Sequence, residues 1–215
     1  MIFNKIRKPK TNLSTTNKIL ITICILLLGF CLGVFSKYLD CKQANLPYFL
    51  HIIDTFLDLH NFLGTFAPWI LAGVCISIYS TTPLRASLNV FAFFSAMVSG
   101  YYLYCYFIAG FFPKSYAMIW IIFTIISPIF AFICWYAAGN GVASLILSSG
   151  IISFFINAAF AYGMFYCDIR SWLGLFVLIL GIFILHKSVK DTIFMIALGF
   201  LFATITNIIL PFNIY

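Results

Sequence analysis

His51, Asp54, Asp58 and His60 fall within one stretch of ten residues, HIIDTFLDLH, in a chain whose only acids are five aspartates. Two carboxylates and two imidazoles are ligand types that can hold a divalent cation. At helical spacing His51, Asp54 and Asp58 line one face, while Ile52, Phe56 and Leu59 line another. The same residues therefore also describe an amphipathic helix lying along a membrane surface. No open-site metal pattern such as H-E-x-x-H is present, and the interfacial helix is the stronger of the two readings. His51, Asp54, Asp58 and His60 stand as metal candidates only, and no cofactor is implied.

Polar and small residues also recur at helical spacing inside the apolar runs. Ser149, Ser153 and Asn157 form one such row, Gly199, Ala203 and Asn207 a second, and Ala92, Ala96 and Gly100 a third. Gly29-x-x-x-Gly33 adds a fourth. Rows of this kind let membrane helices approach closely and hydrogen-bond across the contact. The alternative is a lumen for a neutral solute, lined by Asn157, Asn207 and the tyrosines near Tyr101 and Tyr102. A pocket near Asp54, Asp58, Tyr101 and Tyr102 completes the ligand-binding candidates.

Several chemistries are disfavoured by what the sequence lacks. No acid, lysine or histidine falls near the middle of an apolar run, where proton and sodium relays place theirs. There is no phosphate-cradling glycine loop followed by Lys-Ser/Thr, and no intramembrane protease set. The expectation is a binding protein, not an enzyme.

Arg85, in YSTTPLRASLNVF, is the only charge between Asp58 and Lys114. Thr82 suits a helix N-cap and Pro83 the first turn, so a span begins there. Arg85 then lies at the membrane edge, its stem in the apolar zone and its head in water. It reads as a topology anchor.

The elements that must carry these residues follow from composition. Of 215 residues, 64% are hydrophobic and 8% charged. A soluble domain carries roughly 25% charged residues, so the chain belongs in lipid. The fold class is all-α: a polytopic transmembrane helix bundle of about seven spans, with the short amphipathic segment outside, between spans one and two. The spans are placed near 19–36, 62–80, 86–110, 116–138, 142–166, 171–186 and 192–210. Ser127-Pro128 should kink the fourth. A basic tail, 1–18, precedes one membrane domain, 19–215.

The tail carries Lys5, Arg7, Lys8, Lys10 and Lys18, which sets the N-terminus in the cytoplasm beside anionic lipid. Arg85, Lys187 and Lys190 then also fall inside, whereas Lys37, Lys42, Lys114 and Arg170 fall outside. The placement of the basic residues argues against nucleic acid as a partner. The division of 171–210 into two spans decides the side of the C-terminus. Seven cysteines form no C-x-x-C pair. Cys41 and Cys167 fall in outer loops and could pair in an oxidising exterior, although sequence does not supply the required approach. The first apolar run lacks an A-x-A-like end and reads as a retained helix.

The phrases SIYSTTPLRASLNVFAFF, GYYLY, IAGFFPKSYAMIW and ISPIFAFICWYAAGNG resemble a domain-of-unknown-function family of small multipass membrane proteins from Gram-positive bacteria. The resemblance covers most of residues 20–200 and implies topology and a bacterial cell-membrane location, with no activity to carry over. Ala92-x-x-x-Ala96 also has the spacing of the coupling motif in the substrate-binding subunits of vitamin transporters, a looser analogy. The functional expectation is a small-solute transporter or transporter subunit in the lipid bilayer. The alternative is a non-catalytic structural or regulatory partner of another membrane protein.

Overall fold

The computed structural model describes residues 6–9, 14–42, 46–163 and 165–209, so Lys5 and Lys10 of the basic tail lie outside the described residues. The chain is helical, with helices α1 (Thr15–Lys42), α2 (Tyr48–Leu57), α3 (Leu59–Gly64), α4 (Ala67–Tyr79) and α5 (Pro83–Tyr104). A turn of π-helix, Cys105–Ala109, ends α5. Then come α6 (Lys114–Ala137), α7 (Val142–Ala159), a hairpin of β1 (Phe160–Tyr162) and β2 (Cys167–Ile169), α8 (Trp172–Ile184) and α9 (Val189–Ile209).

Five described helical stretches are long and apolar enough to cross a membrane: Thr15–Cys41, Pro83–Ala109, Lys114–Ala137, Val142–Ala159 and Val189–Ile209. Their outward residues are apolar, as lipid requires; Leu20 and Ile208 are examples. The second and sixth predicted spans appear as α4 and α8, helices of only 13 residues each. At 1.5 Å per residue each rises about 20 Å, less than a hydrocarbon core of about 30 Å. The fifth span is shorter than its apolar run suggests. Its helix stops at Ala159, and Phe160 turns extended into the antiparallel hairpin, pairing with Ile169. Apolar sequence alone does not separate a helix from a buried strand, which is why 160–166 misleads. Lys37, expected in an outer loop, is helical and buried, because α1 continues to Lys42.

Contacts divide the chain into two compact units. The first comprises residues 9–54 and 76–135. Within it α1 and α5 run parallel: Arg85 meets Lys18 and Thr22, Asn89 meets Thr22, and Gly29 and Gly33 meet the backbone at Phe93 and Met97. A Cβ at Gly29 or Gly33 would run into a carbonyl of α5, and one at Gly100 into the carbonyl of Phe30. The small-residue spacing is thus used for backbone contact inside this unit. Helix α6 runs antiparallel to α5, joined by Ser87 to the Pro128 carbonyl at 2.8 Å and by the Phe94–Phe123 edge contact.

Pro128 lies inside α6 and cannot donate to the carbonyl of Thr124. The Ser127 hydroxyl donates to that carbonyl instead, at 2.8 Å. Ser127→Ala should therefore destabilise the protein by about 1 kcal/mol in a Pro128 background, and by less when Pro128 is also alanine. Thermal denaturation of the four variants in detergent would measure that coupling.

The second unit comprises residues 1–8, 55–75 and 136–215. Helices α7 and α9 are parallel, with Gly199 against Ile152 and Asn157 bonded to the Ala203 carbonyl. Helix α8 returns antiparallel, Gly174 against Ala158 and Gly181 against Phe155. The tail joins this unit where Asn140 N–H donates to the Ile6 carbonyl at 2.9 Å.

Candidate functional site

The amphipathic stretch forms a helix but not the expected polar face. Helix α2 ends at Leu57, and Asp58 adopts a left-handed backbone, φ 52° and ψ 47°. Aspartate tolerates that conformation better than most residues. Asp58 therefore leaves the row of His51 and Asp54 and faces local partners. Its carboxylate accepts from Asn61 at 2.8 Å and lies 3.5 Å from His60 Nε2. The expected polar row is split: His51 is exposed but Asp54 is only 7% exposed, whereas Phe56 is 86% exposed. Its exposed side mixes Ile52 and Phe56 with His51 and Thr55, as suits a helix at a membrane interface, while Asp54 turns inward. Among the described residues no three His, Cys, Asp or Glu side chains are grouped to hold a metal. The metal set His51, Asp54, Asp58 and His60 is accordingly not assembled.

Asn157 and Asn207 are brought together, but by a shared partner. Tyr162 of the hairpin donates its hydroxyl to Asn157 Oδ1, and its carbonyl accepts from Asn207 Nδ2 at 3.3 Å. Asn157 Nδ2 reaches Thr206 Oγ1 at 2.9 Å. These bonds tie the hairpin to the ends of α7 and α9. Among the described residues no disulfide joins any two cysteines, Cys41 and Cys167 included.

Tyr101 and Tyr102 belong to the first unit and have different company. Helix α1 presents Lys37 and Asp40 as an ion pair, with side chains 5% and 48% exposed. The Lys37 ammonium lies over the Tyr101 ring, 5.2 Å from its centroid, and over the Phe111 ring at 4.9 Å. Each ring face attracts the cation. Tyr102 packs edge-on against Tyr101, with ring centroids 5.0 Å apart, and at a tilt against Phe112, at 5.1 Å. Its hydroxyl is buried without a hydrogen-bond partner. Such a group costs about 1–3 kcal/mol, so a fold that keeps it invites another explanation. Tyr102→Phe should raise the melting temperature of the ligand-free protein by removing that cost, whereas a hydroxyl with a structural partner would lower it.

Sequence reasoning selected the two tyrosines and missed Lys37, Asp40, Phe111 and Phe112. A signal existed: Lys37 and Asp40 stand three apart at the end of an apolar run, the spacing of neighbours on one helix face.

Arg85 sits where the sequence places it, in the first turn of α5, with Thr82 capping and accepting from the Arg85 N–H at 3.2 Å. Its guanidinium donates to the Lys18 carbonyl and to Thr22 Oγ1. Thr22 donates onward to Asn89 Oδ1 at 2.8 Å, and Asn89 to Ser80 Oγ at 3.3 Å. Arg85 is a half-buried staple between parallel helices as well as a charge.

A comparable contact occurs in the second unit. Lys187, between α8 and α9, donates to Ser144 Oγ at 2.6 Å and to Ser148 Oγ at 3.4 Å. Ser144 donates to the Ala137 and Gly139 carbonyls, completing the end of α6. Burial lowers the Lys187 pKa below its usual value, with Asp191 acting in the opposite sense. The unfolded chain then holds more protons than the folded one between the lowered value and 10.5. Stability should rise with pH across that window, and Lys187→Met should flatten the rise; denaturation at several alkaline pH values would read it.

No family model matches this chain, and neither a curated protein nor a solved structure is similar to it at a significant level.

Proposed function

We propose that this chain is a carrier, or a carrier subunit, of the bacterial cell membrane. In this reading it crosses the bilayer seven times from a cytoplasmic N-terminus and binds a small solute. The observation that carries the reading is a pattern found twice: a pair of long, parallel helices separated along the chain by shorter ones. It appears as α1 and α5, with α2, α3 and α4 between them in sequence, and again as α7 and α9, with the hairpin and α8 between them. If both members of a parallel pair cross, the chain has to return between them, and α4 and α8 are the returning segments. In both cases a cation at the start of the later helix bonds hydroxyls near the start of the earlier one, Arg85 to Thr22 and Lys187 to Ser144. Repeated helix groups of one orientation are a recurrent way of building secondary transporters, which bind solute in the membrane.

The alternative role, docking another subunit through small-residue ridges, is disfavoured because Gly29, Gly33 and Gly199 already meet helices of their own unit. The test joins topology to activity. Reporters fused after residues 82, 140 and 188 should be cytoplasmic, and one after residue 112 external. Purified protein in liposomes should exchange a solute that also stabilises it against heat. Reporters on the opposite sides would overturn the topology, and a protein that neither binds nor moves any solute would overturn the carrier.

A further inference from the structure

The geometry points to a solute site at the C-terminal ends of α1 and α5, built from Lys37, Asp40, Tyr101 and Tyr102 and closed by Phe111 and Phe112; we infer that it takes a small zwitterion carrying a carboxylate and an ammonium. This inference rests on the carrier reading and names its solute class.

Three observations converge on the site. The first is the ion pair, in which the ammonium is sealed and the carboxylate half open to its surroundings. The second is the Tyr102 hydroxyl, buried and unpartnered within the same aromatic cluster. The third is the cover. Phe111 lies over Lys37 and Phe112 against Tyr102, and both belong to the short linker between the π-turn and α6. Gly110, which opens that linker, is left-handed with φ 73°, and both phenylalanines are partly exposed. One short segment thus touches both the ammonium, through Phe111, and the Tyr102 ring, through Phe112. Turns of π-helix within α-helices are frequent at functional sites, and this one adjoins the cover.

Charge balance selects the solute. A simple cation would take Asp40 and leave Lys37 charged and buried without its carboxylate, the costliest outcome for an ion pair. A simple anion would take Lys37 and leave Asp40 to water, which its exposure allows. A zwitterion inserted into the pair gives its carboxylate to Lys37 and its ammonium to Asp40, so no charge is orphaned. The Tyr102 hydroxyl then gains a carboxylate oxygen to donate to, and the Tyr101 face gains a second cation.

The test uses the full chain in lipid nanodiscs and thermal stabilisation by the twenty common amino acids, glycine betaine and a panel of sugars and nucleosides. Each hit is compared with its deaminated acid and its decarboxylated amine. At least one zwitterion should stabilise the wild type, the matching acid should bind at least tenfold more weakly, and the amine should give no shift. Lys37→Met should abolish the effect. Tyr102→Phe, which removes only an unpartnered hydroxyl and should fold at least as well, should weaken binding at least tenfold. Equal binding of the amine, or zwitterion binding that survives both substitutions, would overturn the inference. If sugars or nucleosides stabilise the protein and no zwitterion does, the carrier reading stands and this site assignment falls. If no class binds, both fall.

Discussion

Gly33→Leu should abolish the folded protein, and Gly33→Ala should destabilise it by about 1–3 kcal/mol, the range for overpacking a close contact. The reason is geometric. A Cβ at Gly33 meets the carbonyl, carbonyl carbon and Cα of Met97, all of them backbone, so no rotamer change on α5 can make room. Either α1 moves away from α5 or the contact is lost. Because α1 and α5 touch through Gly29 and Gly100 as well, a shift at one level disturbs the others. Gly150 provides the control: it lies on an exposed face with nothing near its Cβ position, so Gly150→Ala should be neutral or slightly stabilising. Size-exclusion profiles and melting curves in one detergent would separate the two positions.

The second large effect is expected at Arg85. Arg85→Leu removes charge-assisted bonds to the Lys18 carbonyl and to Thr22, each worth about 1.5–3 kcal/mol. On the proposed topology it also deletes a cation counted in the basic-residue asymmetry that would orient α5. Arg85→Lys keeps the charge but replaces a rigid, planar guanidinium, one nitrogen of which meets both acceptors, with a mobile ammonium that has no preset geometry for them. The lysine variant should therefore retain its orientation while losing stability, whereas the leucine variant should lose stability and yield a mixed population in a reporter assay. If both variants melt like the wild type, the staple is ornamental. If only the leucine variant changes side, charge and hydrogen bonding have been separated.

Much of the helical architecture was legible because lipid imposes a simple rule on a chain: long apolar runs must satisfy their own backbone, and helices do so. The Thr82 cap and Pro83 start of α5 were readable for the same local reason, since a capping hydroxyl and a proline act within one turn. Length was less legible. Residues 160–166 continue the hydrophobicity of α7, yet Phe160 leaves the helix because its pairing with Ile169, nine residues on in the chain, competes with the next helical bond. Asp58 was misplaced because helical spacing assumes an unbroken helix, and one left-handed residue rotates everything after it. The tyrosine pair was visible as aromatic sequence, but its cation was not. Lys37 reads as the first residue of a loop until α1 is seen to run past it. Asn157 and Asn207 share a row logic that the sequence carries, while Tyr162, which joins them, sits in a hairpin that it does not announce.

The two 13-residue helices have a consequence for the surroundings. On the seven-crossing reading, α4 and α8 each leave about 10 Å of a typical hydrocarbon core unmatched. A bilayer meeting such a mismatch thins or bends beside the protein, at fractions of a kcal/mol per ångström. The acyl-chain length of the host lipid then acts as a control variable: shorter chains relax the distortion and longer ones accentuate it. A protein of this shape would collect in thin membrane regions and would work best in them.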